Sequence, residues 1–307
     1  MLKSSKWDKM KRWIPLYLMF LPGAIYLIIN NYIPMGGLIV AFKNYNVRKG
    51  IFGSSWSGLK NFEFLFKSPD AWVITRNTLL YNLAFIVVNN VLGILFAIFI
   101  CDAVNKHLKK IYQSAILFPF LMSTVVVGYL VYAFLSTGNG LINKSILEPL
   151  GKQAISWYQD PTYWPLIIIF VNTWKGVGYG CLIYISSING IDPTYYEAAE
   201  LDGASKWQQI KNITLPSVLP TTVTLVLMSV GKIFYSDFGL FYQVPRNSGL
   251  LYRATDVIDT YVYRALMVQT NIGMSSAAGF YQSICGFVLV LVVNMIVRKI
   301  DKEQALF

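Results

Sequence analysis

The residues best placed to do chemistry lie in one polar stretch of an otherwise apolar chain. Residues 190–220 read GIDPTYYEAAELDGASKWQQIKNITLPSVLP and carry three acids, Glu197, Glu200 and Asp202, within six positions. Exposed acids on a short segment predict docking into a groove that bears basic groups. The alternative is an amphipathic helix resting on lipid. That alternative is disfavoured because the acids would face an anionic leaflet and no basic rim accompanies them.

The same stretch predicts a helix, a turn and a second helix. Asp192 can cap free N–H groups and Pro193 fits the first helical position, so a helix begins there and runs through PTYYEAAEL. Gly203 can adopt positive φ and end it. The segment ASKWQQIKNI restarts a helix, and Leu215–Pro216 is expected to break it again before the next apolar span. A nine-residue helix is marginal alone in water, so we expect a partner to hold it.

The sequence contains few residues that could form a metal site, a nucleotide site or a catalytic site. His107 is the only histidine and the three cysteines are far apart, so we expect no metal site and no catalytic histidine. No GxxxxGK[ST] pattern occurs, so the chain should not bind ATP itself. Asp256 and Asp259 in ATDVIDTYVYR could be offered as the acids of a membrane-embedded hydrolase or glycosyltransferase. A capped external helix with Asp259 paired to Arg264 is the favoured alternative.

Composition places these elements in a membrane. The chain has 307 residues, 55% of them hydrophobic and 13% charged, with a mean hydropathy of +0.49. A soluble domain usually has about 25% charged residues. The net charge of +11 resides at span ends, which favours contact with anionic lipid heads over binding of nucleic acid.

Six apolar segments are long enough to span a bilayer. They are 14–42, 77–101, 111–135, 164–187, 217–238 and 275–297. The first is too long for one straight span, so its membrane helix should end near Tyr32 and bend onward at Pro34. Segment 43–76 should form a folded extracellular cap with a short helix near residues 61–67. We expect one domain spanning residues 1–307.

Basic residues set the predicted orientation. With the N-terminus inside, segments 1–13, 102–110, 188–216 and 298–307 are cytoplasmic, and they carry Lys and Arg at about twofold higher density than the outer segments. Both termini and the polar stretch therefore face the cytosol of a multi-pass protein. No carboxylate lies within a span, since Asp102 and Asp237 are at span ends. A proton- or sodium-coupled carrier is thus the poorly supported runner-up.

The polar stretch closely resembles a known family motif. Glu197-Ala198-Ala199, with Gly203 four residues on and then I-x-LP, is similar to the EAA motif of permease subunits of binding-protein-dependent ABC importers. The resemblance extends along most of the chain, through LPGAIYLIINNYIPMGGLIVAFKNY, GLKNFEFLF, NTLLYN and DVIDTYVYR. These segments look like the carbohydrate-uptake branch, closest to permeases for complex oligosaccharides and polysaccharide fragments.

The resemblance implies an all-α integral membrane protein, a six-span type I ABC importer transmembrane domain with a cytoplasmic EAA coupling helix. Glu197, Ala198 and Ala199 would pack into a cleft of the ATP-binding subunit beside Asp202. Gly203 would make the turn, and Leu215 and Pro216 would lead back into the membrane.

The implied assembly is a non-catalytic permease in the bacterial cell membrane. Its partners would be a second homologous permease, two ATP-binding subunits, an extracellular solute-binding lipoprotein and a carbohydrate. This chain would bind no cofactor, since ATP and Mg would reside on the ATPase subunits.

Polar and aromatic side chains within the spans predict the sugar path, because sugars bind flat aromatic faces, amides and hydroxyls. The candidates are Asn77, Asn82, Asn89, Asn90, Tyr129, Tyr132, Asn172, Trp174, Lys175, Lys232, Tyr235 and Asp237. For each, the alternative is a hydrogen bond between helices or an interfacial position. Lys232 is the most informative, since a lone buried ammonium demands a partner such as Asp237. Gly176, Gly178 and Gly180 should permit close helix packing rather than line a pore.

Overall fold

The computed structural model of the chain describes residues 6–63 and 67–300, and most of this is helix. Five helical segments in this described part are long and apolar enough to cross a membrane. They are Trp13–Phe42, Pro69–Asp102, Pro161–Asn189, Lys206–Val230 and Ile272–Lys299. Each overlaps one of the six apolar segments predicted from the sequence. Lys106–Leu121 and Thr124–Leu135 form a further, strongly bent pair at the position of predicted span three.

The α-helices are numbered in chain order. They are α1 Lys6–Leu27, α2 Ile33–Met35, α3 Gly50–Gly53, α4 Pro69–Asp102, α5 Lys106–Leu117, α6 Thr124–Leu135, α7 Trp164–Asn189, α8 Pro193–Leu201, α9 Lys206–Gln209, α10 Leu215–Val230, α11 Phe238–Gln243, α12 Tyr252–Thr255, α13 Ile258–Met267 and α14 Ile272–Ile300. The 3₁₀ segments lie at Gly36–Phe42, Lys60–Phe62, Phe118–Leu121, Pro161–Tyr163 and Gly249–Leu251. The π-helical turns lie at Ile28–Tyr32, Asn143–Leu147 and Ile210–Thr214. Strands β1, Lys43–Asn44, and β2, Ser55–Trp56, pair antiparallel.

The membrane helix of the first span was predicted to end near Tyr32, but the helical segment continues beyond that residue. The helical segment runs on to Phe42 and changes type instead, with the π turn Ile28–Tyr32 immediately before Pro34 and a 3₁₀ segment after it. A local change of helix type can accommodate the hydrogen bond that proline cannot donate. The large apolar side chains of this segment are mostly exposed, which suits contact with lipid or another membrane subunit.

Span three was predicted over 111–135, and the structure has a strongly bent pair of helices at that position. Its two halves are bent by 96°, and Met122 and Ser123 between them are extended. Pro119, just ahead of the bend, cannot continue the α-helical hydrogen-bond ladder. The first half packs closely on α7, where a Cβ at Gly178 would overlap the carbonyl oxygen of Ile116. Close packing is therefore confirmed for Gly178, whereas Gly180 has open space around it.

Span five also differs from the prediction at both ends. Leu215–Pro216 does not break the helix, because the π turn Ile210–Thr214 precedes Pro216 and the segment continues as Lys206–Val230. The span ends at Val230 rather than at residue 238. Turns follow, and Asp237 caps a separate helix, α11, by accepting the backbone N–H of Leu240 at 3.0 Å.

The bundle has two ends that differ in structure. The end that carries α8 also holds the end of α4, since Lys206 Nζ of α9 approaches Asp102 Oδ1 at 3.9 Å. It holds the end of α7 as well, since α7 ends at Asn189 just before α8 begins. The opposite end carries β1, β2 and segment 231–271, and we call it the hairpin end. There Asn61 donates to the carbonyls of Ala41 and Lys43, each at 2.9 Å. The predicted helix near residues 61–67 lies partly outside the described residues, and its described part begins with the 3₁₀ turn Lys60–Phe62.

The core lies between α4 and α7 and continues to the hairpin end. Trp164 and Ile168 at the start of α7 are fully buried against Tyr81 of α4 and Phe241 of α11. A second cluster around Tyr184 and its neighbours joins α4, α7 and α10 near the α8 end. These packed helices form the core that connects the two ends of the bundle.

Candidate functional site

Helix α8 begins at the residues predicted from the sequence. Asp192 has extended backbone geometry, and its carboxylate accepts the backbone N–H of Thr194 at 3.0 Å. Pro193 occupies the first turn, where its missing N–H costs nothing. The hydrogen bonds from Thr194 lower the pKa of Asp192 below its usual value, so this cap is ionised at neutral pH.

The turn after α8 is made by Gly203, as predicted. Its φ is +77°, in the left-handed region that residues with a Cβ rarely adopt. The N–H of Gly203 donates to the carbonyl of Glu200 at 3.1 Å, and that of Ala204 to the carbonyl of Ala199 at 2.8 Å. These bonds satisfy carbonyls that the helix end leaves free.

The second helix restarts at a reciprocal cap. The hydroxyl of Ser205 accepts the N–H of Gln208, and the side chain of Gln208 accepts the N–H of Ser205 at 2.7 Å. Such a capping box satisfies two otherwise free donors. Helix α8 therefore has a closely defined position, because it is capped at its start and ended by a glycine turn. A second capped helix follows it immediately.

Few contacts attach α8 to the bundle. The hydroxyls of Tyr196 and Thr214 are 2.9 Å apart, and Lys206 reaches Glu200 at 3.5 Å. The rest of the surface is open: Glu197, Ala198, Asp202, Gly203 and Trp207 are exposed, Ala199 is half-buried and Leu201 is 90% exposed. Within residues 13–63 and 67–299, neither Glu197 nor Asp202 forms an ion pair. Leu215 and Pro216 are also exposed, at the start of α10.

Several predicted path residues bind neighbouring helices or turns. Asn82 donates to the carbonyl of Ile233 at 2.9 Å and so fastens the turn after α10 to α4. Asn89 donates to Asn172 at 2.9 Å, between α4 and α7. Asn77 donates to the carbonyl of Asp256 at 2.9 Å. Asn90 accepts the hydroxyl of Tyr184 at 2.6 Å. These amides therefore hold the bundle together.

The remaining path residues are more accessible. Lys232 is exposed, so its predicted burial is wrong. The reason is that the helix ends at Val230 and places Lys232 in the following turn. Asp237 is occupied as the α11 cap, and no ion pair joins it to Lys232 in the described structure. Tyr235 is exposed, with its hydroxyl 2.9 Å from that of Ser283.

Two further predicted residues lie on α7. Trp174 is partly exposed and lines an apolar cavity of about 650 Å³ between α6 and α7. Lys175 is half-buried, and no ion pair to it occurs in the part of the chain described.

Tyr129 and Tyr132 of α6 lie beside a cleft that sequence reasoning missed. Tyr129 lines a cavity of about 300 Å³ together with Tyr242, Gln243 and Arg246, and the Arg246 guanidinium lies 4.1 Å from the centre of the Tyr132 ring. The segment YQVPRN shows no periodicity that would have singled it out. Only its position beside α6 reveals it.

The predicted pairing of Asp259 with Arg264 is wrong. Arg264 instead forms a buried ion pair with Asp256. Asp259 accepts the backbone N–H of Ser236 at 2.7 Å and lies 3.3 Å from the amide nitrogen of Gln282. Burial raises the pKa of the Asp259 carboxyl above its usual value. Both carboxylates are thus engaged by neighbouring groups, which disfavours a hydrolytic pair.

Residues 89–302 match the family described as the binding-protein-dependent transport system inner membrane component. The chain belongs to this family. YteP of Bacillus subtilis (strain 168), the polygalacturonan/rhamnogalacturonan transport system permease protein, is 34% identical to it over 94% of this chain and 89% of its own length. Protein LplB of the same organism is 30% identical over 98% of this chain and 92% of its own.

The fold matches solved transporters of the same kind. The permease superimposes with a TM-score of 0.87 and 32% identity on a chain of a bacterial ABC transporter involved in the import of the acidic polysaccharide alginate, covering 96% of this chain and 99% of that one. A second structure, with the same TM-score, holds an alginate pentasaccharide-bound periplasmic protein in complex with the transporter. The all-α membrane class and the non-catalytic permease role are therefore confirmed.

Proposed function

We propose that this permease forms half of the translocation path of an ATP-driven oligosaccharide importer and that α8 is its coupling helix. The observation that carries the proposal is the state of α8: both ends are fixed by caps and turns, yet Glu197, Leu201 and Asp202 are exposed. A nine-residue helix of this kind is stable only when its surroundings hold it. Docking in a cleft of an ATP-binding subunit would cover it.

The proposed assembly follows from the arrangement of one such helix per chain. Two ATP-binding subunits require two coupling helices, so a second homologous permease completes the membrane part. ATP and Mg would bind to the ATPase subunits. The segment Trp13–Phe42, whose apolar side chains are mostly exposed, suits contact with the second permease or with lipid.

The proposed orientation places α8 and both termini in the cytosol, with six crossings if the bent pair counts as one. The hairpin end then faces outward, toward a solute-binding protein. The sugar relatives and the complex with an oligosaccharide-bound periplasmic protein support this reading. Of the predicted path residues, Tyr129, Tyr132, Trp174, Lys175, Lys232 and Tyr235 are accessible enough to meet a sugar, whereas Asn82, Asn172 and Asp237 would act by holding the path in shape.

A charge reversal on α8 tests the proposal. Glu197→Lys at a partly desolvated ion pair with the ATPase subunit should weaken assembly by about 2–5 kcal/mol. On anionic lipid the same change would instead strengthen attachment by about 1 kcal/mol. The measurement is the amount of ATPase subunit that co-purifies with the permease at matched expression.

The matched control is Glu148→Lys, which makes the same charge change at an exposed acid in the 136–163 connection, outside α8. Loss of ATPase with Glu197→Lys alone, restored by an acid introduced on the ATPase, is the expected result. Normal ATPase recovery and uptake with Glu197→Lys would contradict docking through this residue.

A further inference from the structure

A cleft at the hairpin end carries groups that the coupling function does not use. It lies between α6 and the segment that follows α11, and its volume is about 300 Å³. The residues that matter in its lining are Gly128, Tyr129, Tyr242, Gln243, Arg246 and Asn247. None of them lies on α8 or contacts it, so the cleft is separate from the proposed ATPase contact.

The chemistry of the cleft suits a sugar that carries a carboxylate. Tyr129 is 65% exposed and its ring offers a flat apolar face, while Gln243 supplies an amide. Arg246 supplies a fixed cation, since its guanidinium lies 4.1 Å from the centre of the Tyr132 ring. A guanidinium stacked in this way keeps its in-plane N–H groups available for two parallel bonds to a carboxylate.

Arg246 has no acidic partner of its own. Among residues 13–63 and 67–299, no Asp or Glu forms an ion pair with it, in contrast to the neighbouring Arg264, which pairs with Asp256. Arg264 thus serves the fold, whereas Arg246 is available to a ligand.

The backbone holds Arg246 in place at some cost. Arg246 and Asn247 have φ values of 56° and 47°, so two consecutive residues with a Cβ adopt the left-handed region. Their N–H groups donate to the carbonyls of Gln243 at 3.2 Å and Tyr242 at 3.0 Å, and the Asn247 side chain accepts from Tyr252 at 3.0 Å. Such over-determined strain is concentrated at ligand sites in proteins.

Helix α6 is also shaped to admit this segment. A Cβ at Gly128 would lie 2.9 Å from the carbonyl oxygen of Gln243, closer than real Cβ atoms approach. Glycine at 128 therefore lets the backbone after α11 touch α6, and that contact brings Arg246 to the Tyr132 ring. The close approach and the strained turn are independent features that place the same cation.

We propose that this cleft binds a uronate unit of an acidic oligosaccharide, with Arg246 holding the carboxylate and Tyr129 supporting the sugar ring. The inference rests on the proposed importer function and adds the substrate class to it. The relatives named for polygalacturonan/rhamnogalacturonan and for the acidic polysaccharide alginate are in keeping with that class. The competing partner for Arg246 is an acidic side chain of the solute-binding protein.

The test measures binding of free oligosaccharides to the purified whole importer in lipid nanodiscs, without the solute-binding protein. The probes are trigalacturonate and an alginate trisaccharide, each compared with its methyl ester, which keeps the sugar and removes the charge. Wild type should bind at least one acid more tightly than its ester. Arg246→Gln should weaken that acid by about tenfold to a hundredfold and leave the ester unchanged.

Three controls make the result decisive. Arg246→Lys keeps the charge without the fork and should give an intermediate loss. Arg253→Gln removes an exposed arginine at the same end, outside this cleft, and should change nothing. Should Arg246→Gln fail to assemble, Tyr129→Leu provides the second variant, and it should weaken acid and ester alike.

Several results would overturn the proposal. Carboxylate recognition would be excluded if neither acid bound more tightly than its ester. It would also be excluded if Arg246→Gln weakened the binding of acid and ester equally. Reduced affinity for the solute-binding protein with unchanged trisaccharide binding would assign Arg246 to the protein partner. An importer that assembles with its ATPase and takes up only neutral sugars would refute the cleft while leaving the proposed function intact. Absence of any ATPase from the wild-type complex would refute the proposed function itself.

Discussion

Substitution of Gly203 separates backbone geometry from side-chain contact at α8, the proposed coupling helix. Gly203 has φ +77°, and a Cβ built there has no atom within 4 Å. A Cβ at this position therefore meets no neighbour, and Gly203→Val is expected to cost mainly the left-handed backbone strain, about 1–2 kcal/mol. That cost lowers the fraction of molecules with the native turn by a factor of about 5–30 relative to alternatives. Helix α8 should lose its defined position while the spans remain folded.

A matched glycine is available for comparison. Gly58 has φ +60° and also no atom within 4 Å of its Cβ position, but it lies at the hairpin end. Gly58→Val should impose similar strain there and leave ATPase binding unchanged. Gly203→Asn should retain much of the function, because asparagine tolerates the left-handed region better than valine.

The assay is the affinity of the ATPase subunit for permease complexes in nanodiscs, with sugar uptake measured in parallel. Gly203→Val should reduce both, and the amount of permease in the membrane should be unchanged. Wild-type affinity in Gly203→Val, or an equal loss in Gly58→Val, would refute the reasoning that the Gly203 turn positions α8 for its partner.

Three further predictions concern packing and buried charge. Gly178→Ala should lower the free energy of unfolding by about 1–3 kcal/mol, because its Cβ would collide with the backbone of Ile116. Gly180→Ala is the control, because its Cβ has open space around it. Equal thermal midpoints for the two variants would contradict this prediction. Asp256→Asn should cost about 3–5 kcal/mol in denaturant titrations, because Arg264 is left nearly buried without its partner, and a wild-type midpoint would disprove it. Burial raises the pKa of Asp259, so the folded state holds this proton more tightly than the unfolded state. Stability should therefore fall as pH rises above about 4, and Asp259→Asn should flatten that slope.

Features with local causes could be predicted from the sequence. The start of α8 follows from Asp192 and Pro193, and its end from Gly203, since caps and positive-φ turns depend on adjacent residues. The segments long and apolar enough to span a membrane could be located for the same reason. The length of each hydrophobic run follows from the sequence and needs no knowledge of tertiary contacts.

Features with long-range causes could not be predicted. The burial of Lys232 was misjudged because the end of α10 at Val230 is fixed by the turn that Asn82 holds from α4. The partner of Arg264 depends on how the segment 252–267 folds over itself, which places Asp256 rather than Asp259 beside it. Spacing along the chain allowed either pairing.

The Arg246 cleft illustrates the same limit. Its cation, its aromatic faces and its strained turn come from two elements about a hundred residues apart, joined by the close approach at Gly128.

Proline positions raised an expectation of helix breaks, but Pro216 is accommodated by a π turn whereas Pro119 precedes a 96° bend. Packing around each proline, not the residue itself, determined the outcome.

Uptake into proteoliposomes tests the central claim most directly. The importer that contains this permease is reconstituted with its solute-binding protein on one side and ATP on the other, and accumulation of labelled oligosaccharide is measured. The account predicts uptake only when ATP is on the α8 side and the binding protein is on the hairpin side. Uptake driven by a proton or sodium gradient without ATP would contradict it.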